Sequence, residues 1–374
     1  MTAPRLLRPL LMAVVLLALS LHVCCLTAQQ KAAADQSSTT TAPTIAVDAR
    51  LVNLPVVVRD KKGALIQNLT KDDFTLQVDG KPQTIRYFDK DTNLPLTLGL
   101  LVDISQSQRN VLDEERTASG TFLDQMLTNP KDQAFIAQFA RQTELLQDLT
   151  TSRPLLQKAL REIDTPGPAS DDDSSHSRGG TVLYDALFLA ADELMSKQTG
   201  RKALIILSDG VDRNSKENLV RSIEAAQRAD TIIYAIYFKG EESHPQNNNT
   251  QRGRGGFPGG GFPGGGYPGG GYPGGRGGGN GGGNGGNYPT QNHVDGKKIL
   301  ERMAQETGGR LFEVKKNQDV AQIYNQIAEE LRAQYRLGYT PSQEAASSGY
   351  HQVAVDVHQK GLFVQTRDGY YSGK

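Results

Sequence analysis

Cysteine is nearly absent: the 374 residues hold two, Cys24 and Cys25, both inside the apolar N-terminal stretch. Without that stretch the chain has no disulfide and no thiolate chemistry. An excess of charge of one sign is also missing. Lys+Arg and Asp+Glu are equal at 41 each, so the balance gives no argument for nucleic acid or an anionic membrane as partner. The histidines are scattered. His176, His244, His293, His351 and His358 show no metal-ligand spacing, and there is no His-Glu-x-x-His, the pattern a helical zinc site needs. No glycine-rich stretch runs into Gly-Lys-Ser/Thr, as a phosphate loop requires, and Gly99 lies inside a strand pattern rather than opening a dinucleotide fingerprint. A Gly-x-Ser-x-Gly nucleophile elbow is absent as well.

What is present begins with an export signal over residues 1–28. Arg5 and Arg8 supply the positive start, residues 10–23 the apolar core, and Leu26-Thr27-Ala28 a cleavage site before Gln29. The core is short for a full membrane span of about 20 residues, so cleavage is favoured over a retained anchor. Lipid attachment at Cys24 or Cys25 is the weaker option, because His22 and Val23 stand where small residues are expected. Residues 29–43 are polar, rich in Ala, Ser and Thr and without period, and are expected to form a disordered linker.

Residues 44–92 read as β-strands with no helix between them. Strand patterns cover 51–58 and 74–78, Asp79-Gly80 marks a tight hairpin turn, and 83–88 is the returning strand. Residues 93–335 alternate strands and helices, which implies a mostly parallel sheet covered on both faces. Strands are expected at 96–102, 133–139, 143–149, 203–207, 231–238 and 310–314, with the second and third an antiparallel edge pair. Helices are expected at 111–127, 153–163, 182–195, 216–228, 297–307 and 319–335. Residues 246–292 interrupt this alternation. Phe257-Pro-Gly-Gly-Gly recurs at Phe262, Tyr267 and Tyr272, and the tract is too poor in apolar residues to offset its chain entropy. It reads as a long disordered insertion, either an inert spacer or an adhesive tract of aromatics and arginines. Residues 336–374 are β again. Two β pieces at opposite ends of an α/β domain are most simply used by pairing them in one small β-sandwich. The fold class expected is therefore α/β, a doubly wound sheet inserted in a sandwich built from N- and C-terminal strands.

The chemistry concentrates at strand ends. The apolar run 96–102 stops at Asp103-Ile104-Ser105-Gln106-Ser107, a carboxylate and two hydroxyls at alternate positions. Ligands in open α/β sheets sit beyond the carboxyl ends of the strands, and oxygen-only donors suit Mg²⁺, Mn²⁺ or Ca²⁺. Gly179-Gly180-Thr181 follows an acidic loop, Asp171–Asp173, and opens a helix. Ile205-Ile206-Leu207-Ser208-Asp209-Gly210 is a buried strand ending in Asp-Gly. Each piece alone has a plainer reading: Asp103 and Ser105 as a helix cap, Thr181 as an N-cap, Asp209-Gly210 as a turn. Asp212 and Asn214 read as turn and cap residues of the helix that follows.

In this order the pieces resemble the metal-ion-dependent adhesion site of von Willebrand factor type A domains. The flanking Asp72-Asp73-Phe74, Asp79-Gly80-Lys81, Tyr335-Arg336-Leu337-Gly338-Tyr339 and Arg367-Asp368-Gly369-Tyr370-Tyr371 are similar to the pattern of acidobacterial A-domain-related proteins. The resemblance implies a Rossmann-like fold and a metal set of Asp103, Ser105, Ser107, Thr181 and Asp209. Ser105 and Ser107 would bind the cation directly. Thr181 would bind directly or through water. Asp103 and Asp209 would act mostly through water or hydrogen bonds. One coordination position would be left for a partner's carboxylate. Many members carry glycine where Gln106 stands, and Arg109 is near enough in sequence to compete for an incoming carboxylate.

The implied function is an exported, non-enzymatic, metal-dependent protein-binding module, with Mg²⁺ first and Mn²⁺ or Ca²⁺ as alternatives. Lack of disulfides in such a domain leans towards a bacterial periplasm, envelope or secreted setting. The alternative is an envelope scaffold whose metal site is non-functional and whose Gly-rich loop makes the contacts. A hydrolase using a serine and a histidine is a weaker third reading.

Overall fold

The computed structural model describes residues 51–90, 94–164, 180–239, 295–315, 319–341 and 349–372. The export signal, the 29–43 linker, the acidic loop 171–173, Gly179 and the 246–292 tract lie outside the described residues. In chain order the strands are β1 (Val52–Asp60), β2 (Phe74–Val78), β3 (Lys81–Gln83), β4 (Tyr87–Asp89), β5 (Leu96–Asp103), β6 (Gln133–Phe139), β7 (Thr143–Thr150), β8 (Arg201–Ser208), β9 (Ile232–Tyr237), β10 (Leu311–Glu313), β11 (Tyr335–Tyr339), β12 (Gly349–Val357), β13 (Leu362–Gln365) and β14 (Gly369–Ser372). The helices are α1 (Leu112–Met126), α2 (Arg153–Glu162), α3 (Leu183–Leu189), α4 (Leu219–Arg228), α5 (Gly296–Thr307) and α6 (Val320–Arg332).

Every residue of β5 is buried, as an unbroken apolar run demands of a strand covered on both faces. It lies inside a six-stranded sheet of order β10-β9-β8-β5-β6-β7. All neighbouring pairs are parallel except β6 with β7, the antiparallel edge pair. Strand alternation divides the core. Leu98, Leu100 and Val102 pack with Phe122 of α1, Leu160 of α2 and Ile323 of α6. Leu101 points to the other face, with Leu187 of α3, Ile223 of α4 and Leu300 of α5. At Gly99 an added Cβ would stand 2.3 Å from both Leu204 Cδ2 and Phe135 Cζ, so the sheet is filled at that point without a side chain. From β5 the chain moves to β6 on one side, whereas from β8 it moves to β9 on the other. The gap between β5 and β8 is thus the topological switch point, where ligands of such sheets bind.

The remaining strands form two four-stranded sheets, β13-β1-β11-β4 and β14-β12-β2-β3. Their inner faces share one core that includes Leu54, Val56, Phe74, Leu76, Leu337, Tyr339, Val353 and Tyr370. The α/β unit departs after β4 and returns at β11, and these two strands pair side by side, Leu337 opposite Phe88. Two buried polar clamps join sandwich and α/β unit. Arg367 donates to Asn53 O (2.6 Å) and Asp230 Oδ1 (2.7 Å). Glu330, on α6, sits 2.6 Å from both Arg59 and Arg310.

Two local expectations change. The single strand expected at 83–88 is two strands in different sheets: β3 pairs with β2 and β4 with β11. The chain crosses between the sheets at 84–86, with Ile85 buried in the shared core. The expected helix 182–195 is α-helical only to Leu189. Its next turn widens to a π-helical one at Ala190–Leu194 and closes as a 3₁₀ turn at Met195–Lys197.

Candidate metal centre

β5 delivers Asp103 fully buried at its carboxyl end. Ile104 still bonds to β6 through Phe139 O (2.9 Å), and then the chain leaves the sheet at Ser105 and turns through a 3₁₀ segment, Gln106–Gln108. This turn folds Ser105 and Ser107 back on each other. Their hydroxyl oxygens lie 3.0 Å apart. Gln106 is not among the positive-φ residues, so this turn forms without a glycine at that position. Arg109 is exposed.

The neighbouring strand β8 contributes two groups. Ser208 Oγ donates to Asp103 Oδ2 (2.6 Å), while Asp103 Oδ1 accepts from Ser105 N (2.9 Å). Asp209 Oδ2 accepts from Ser107 Oγ at 2.7 Å, and its Oδ1 accepts from Val211 N at 3.0 Å. Asp103, Ser105, Ser107, Ser208 and Asp209 are thus linked in one network across the ends of β5 and β8. Gly210 has φ +74°, and a Cβ there would stand 2.1 Å from Gly296 O. Only glycine lets the start of α5 approach this turn so closely.

Thr181 enters from the third segment and is buried. Its backbone is pinned on both sides: Val182 N donates to Ala140 O beyond β6 (2.8 Å), and Thr181 O accepts from Arg213 N (2.9 Å). A Cβ on Gly180 would meet Asn214 Nδ2 at 2.2 Å, so this loop lies flat on the 212–214 turn. Among the described residues, no hydrogen bond joins the Thr181 hydroxyl to Ser105, Ser107 or Asp209. The N-cap of α3 is Val182, not Thr181. Asp212 serves α3 as well, accepting from Tyr184 N at 3.2 Å, whereas α4 is capped by Asn218.

The electrostatics are those of a site short of positive charge. Burial pushes the Asp103 carboxyl up to about 6; hydrogen bonds from Ser105 and Ser208 oppose this, and the Asp209 charge adds to it. Hydroxyl and carboxylate oxygens, with one carboxylate fully buried, form a hard donor set that fits a small divalent cation. Among the described residues there is no group of three or more His, Cys, Asp or Glu able to hold a metal, so any ion here depends on serine and threonine oxygens.

Sequence reasoning missed three residues. Ser208 was legible only as part of the strand-end motif. Gln108 and Glu115 are polar residues that the structure buries, the Gln108 amide 3.5 Å from Ser107 Oγ, and the only signal was their position after Ser107. The described histidine with a relay is remote, in the sandwich: His351 Nδ1 is 2.8 Å from Asp79 Oδ2 and its Nε2 2.9 Å from Ser372 Oγ. This relay fastens the β2–β3 turn to β12 and β14.

Residues 98–211 match the family model of the von Willebrand factor type A domain. No curated protein matches the chain. Among solved structures, it is similar to the conserved hypothetical protein BatB from Bacteroides thetaiotaomicron, at 13% identity and TM-score 0.39, over 63% of this chain and 97% of that one. It is also similar to proximal thread matrix protein 1 from the mussel byssus, with a zinc-occupied MIDAS motif, at 12% identity and TM-score 0.42, over 68% of this chain and 49% of that one. The SpRpn10 VWA domain is similar at 14% identity and TM-score 0.36, over 62% of this chain and 95% of that one.

Proposed function

From the premise that this chain carries a von Willebrand factor type A domain, we propose that it is an exported binding module that captures a protein carboxylate through a divalent cation. The observation that carries this reading is the network of Asp103, Ser105, Ser107, Ser208 and Asp209 oxygens at the switch point of the sheet. Ser105 and Ser107, with Thr181, would hold the ion, and Asp103 and Asp209 would orient them and balance its charge. Mg²⁺ suits this donor set best, with Mn²⁺ or Ca²⁺ as alternatives. When bound, the ion supplies a Lewis-acidic position for an anionic oxygen. Ligands that are mostly neutral leave it electron-poor, so an incoming carboxylate gains more there than in water. The module acts by binding, not by turnover.

No helix among the described residues is long and apolar enough to cross a membrane. The N-terminal signal supports action outside the cytoplasm, in the periplasm, at the envelope or after release.

The test is calorimetric titration of the full chain with Mg²⁺, beside Asp103→Ala and Ser107→Ala. Binding by the wild type and loss in both variants is expected. A wild type that takes up no Mg²⁺, Mn²⁺ or Ca²⁺ removes the reading. Capture from envelope extract in Mg²⁺, released by chelator, then identifies the partner.

A further inference from the structure

A second site lies away from the candidate metal centre. A cleft of about 580 Å³ opens between α6 and the turn that follows β1, lined by Arg59, Arg310, Arg332, Glu329 and Glu330 with residues 63–65 of the turn. Arg310 stands just before β10, which runs parallel to β9, and the far end of β9, Tyr237, is the one beside Ser208. The cleft therefore belongs to the amino ends of the parallel strands and the metal centre to their carboxyl ends. Its size falls within the ~300–1,000 Å³ of ordinary ligand pockets.

Two guanidiniums converge here on one carboxylate oxygen. Arg59 Nη2 and Arg310 Nη2 each stand 2.6 Å from Glu330 Oε1. Among the described residues neither arginine has another ion pair. The Glu330 side chain is enclosed, so the cluster sets two positive charges against one buried negative charge. Buried charge is costly unless paired, and one charge here is surplus. Burial pulls the Arg310 guanidinium below its ordinary value; the Glu330 charge opposes this and the Arg59 charge adds to it.

The surplus faces the cleft through Arg310. Its side chain is 37% exposed, against 13% for Arg59, whose Nη1 is given to Gln365 Oε1 at 2.7 Å. Arg310 Nη2 also donates to Gln326 Oε1 (3.2 Å), but among the described residues Nη1 makes no hydrogen bond and is not an enclosed atom. The Arg310 Cζ lies 4.2 Å from the centroid of the Phe312 ring, and such stacking fixes the plane of the fork. The other charges nearby do not cancel the surplus. Glu329 and Arg332, both exposed, are of opposite sign and three residues apart on α6. Asp60 spends its Oδ1 on Lys62 N and Ala64 N (2.8 and 2.9 Å). Lys90 adds a cation, donating to the carbonyl of Gln67 on the cleft wall (3.2 Å).

We propose that this cleft binds a carboxylate, anchored on the Arg310 fork and drawn by the unbalanced charge of the Arg59–Arg310–Glu330 cluster. A carboxylate carries one negative charge on two coplanar oxygens, which matches both the surplus and the fork; a phosphate dianion would overshoot it. The group can come from the C-terminus of a peptide or from an acidic side chain. This site is independent of the cation reading above.

The test is titration of the full chain, stripped of metal so that no carboxylate is held at the other site, at constant ionic strength. The probes are acetyl-Gly-Gly-Gly as the free acid, acetyl-Gly-Glu-Gly amide and, as uncharged control, acetyl-Gly-Gly-Gly amide. Saturation-transfer NMR on the peptide signals gives the affinity, and the shift of the Arg310 Nε–Hε resonance in wild type gives the place. Saturable binding of a carboxylate peptide, with the Arg310 resonance moving and the control inert, is expected. Binding of the free acid alone assigns the cleft to chain ends, and binding of the Glu peptide alone to acidic side chains. Arg310→Gln should weaken binding about tenfold, as loss of a charged hydrogen bond does. Glu330→Gln should tighten it severalfold, because both guanidiniums lose their shared counter-charge; a cluster with a merely structural role would bind no better. Carboxylate peptides that bind no better than the control at millimolar concentration overturn the inference. So does equal affinity in wild type and Arg310→Gln, or unchanged or weaker binding in Glu330→Gln. If neither variant folds, the wild-type arm decides alone, and an Arg310 resonance that does not move overturns the assignment.

Discussion

Replacing Asp103 by Asn should make the cation-free protein more stable, although it removes a site residue. The Asp103 carboxyl is fully buried and its proton affinity rises from 3.8 to about 6 on folding. At about 1.4 kcal/mol per tenfold, ionising it inside the fold costs ~3 kcal/mol relative to the unfolded chain. The sign follows from linkage. A carboxyl raised on folding binds more protons in the native state, so its contribution is greatest below pH ~4 and falls as the pH rises through about 6. Asparagine keeps an acceptor for Ser105 N but presents an amide to Ser208, whose hydroxyl must turn from donor to acceptor, at about 1 kcal/mol. The net expectation at pH 7.5 in chelator is a gain of ~2 kcal/mol. Urea unfolding of both proteins from pH 4 to 8 measures it. Glu115 adds a slope of the same sign, so the quantity to read is the difference between the two curves, which should open between pH 4 and 6. Under the proposed function, saturating Mg²⁺ should reverse the order, because the Asn variant is expected to lose the ion. Should the Asn variant be less stable than wild type by 1 kcal/mol or more in chelator at pH 7.5, the account of a charge-starved site fails.

Three further outcomes are expected. Gly99→Ala places a methyl against Leu204 and Phe135 and should destabilise by about 1–3 kcal/mol in urea, as overpacked cores do. Glu330→Ala leaves Arg59 and Arg310 facing each other without their shared carboxylate and should cost about 3–5 kcal/mol, as breaking a buried pair does; restoration by Arg59→Met would assign the loss to the uncompensated charge. Gly296→Ala forces a Cβ within 2.2 Å of Asp209 O; it should abolish the rise in melting temperature on adding Mg²⁺ while circular dichroism in chelator stays close to wild type.

The α/β alternation was legible because β5, β8 and β9 are uninterrupted apolar runs and the helices between them carry an apolar face. The sandwich was legible for the opposite reason: strand patterns at both ends without helices have nothing else to pack on. What the sequence hides is the crossing at 84–86, since a run that continues its β pattern while changing sheets keeps the same alternation. The donors at the site were legible from strand-end positions, because an apolar run that stops at Asp-x-Ser-x-Ser marks its own edge. Ser208 was obscured by its place inside the strand. Glu115 and Gln108 were marked only by their place shortly after Ser107: on a helix start, a charged or amide residue ordinarily faces solvent, and here both are enclosed.

The pairing of β4 with β11 has a mechanical consequence. The described chain begins in β1 and ends in β14, both in the sandwich. The backbone goes into and out of the α/β unit through two strands hydrogen-bonded to each other, Arg336 opposite Asp89 and Gly338 opposite Tyr87. Tension applied between the chain ends is met first by the interstrand ladders of the sandwich, and β4–β11 acts as a shunt across the unit's two necks. The six-stranded sheet then lies outside the path of a load applied across the sandwich until that ladder shears.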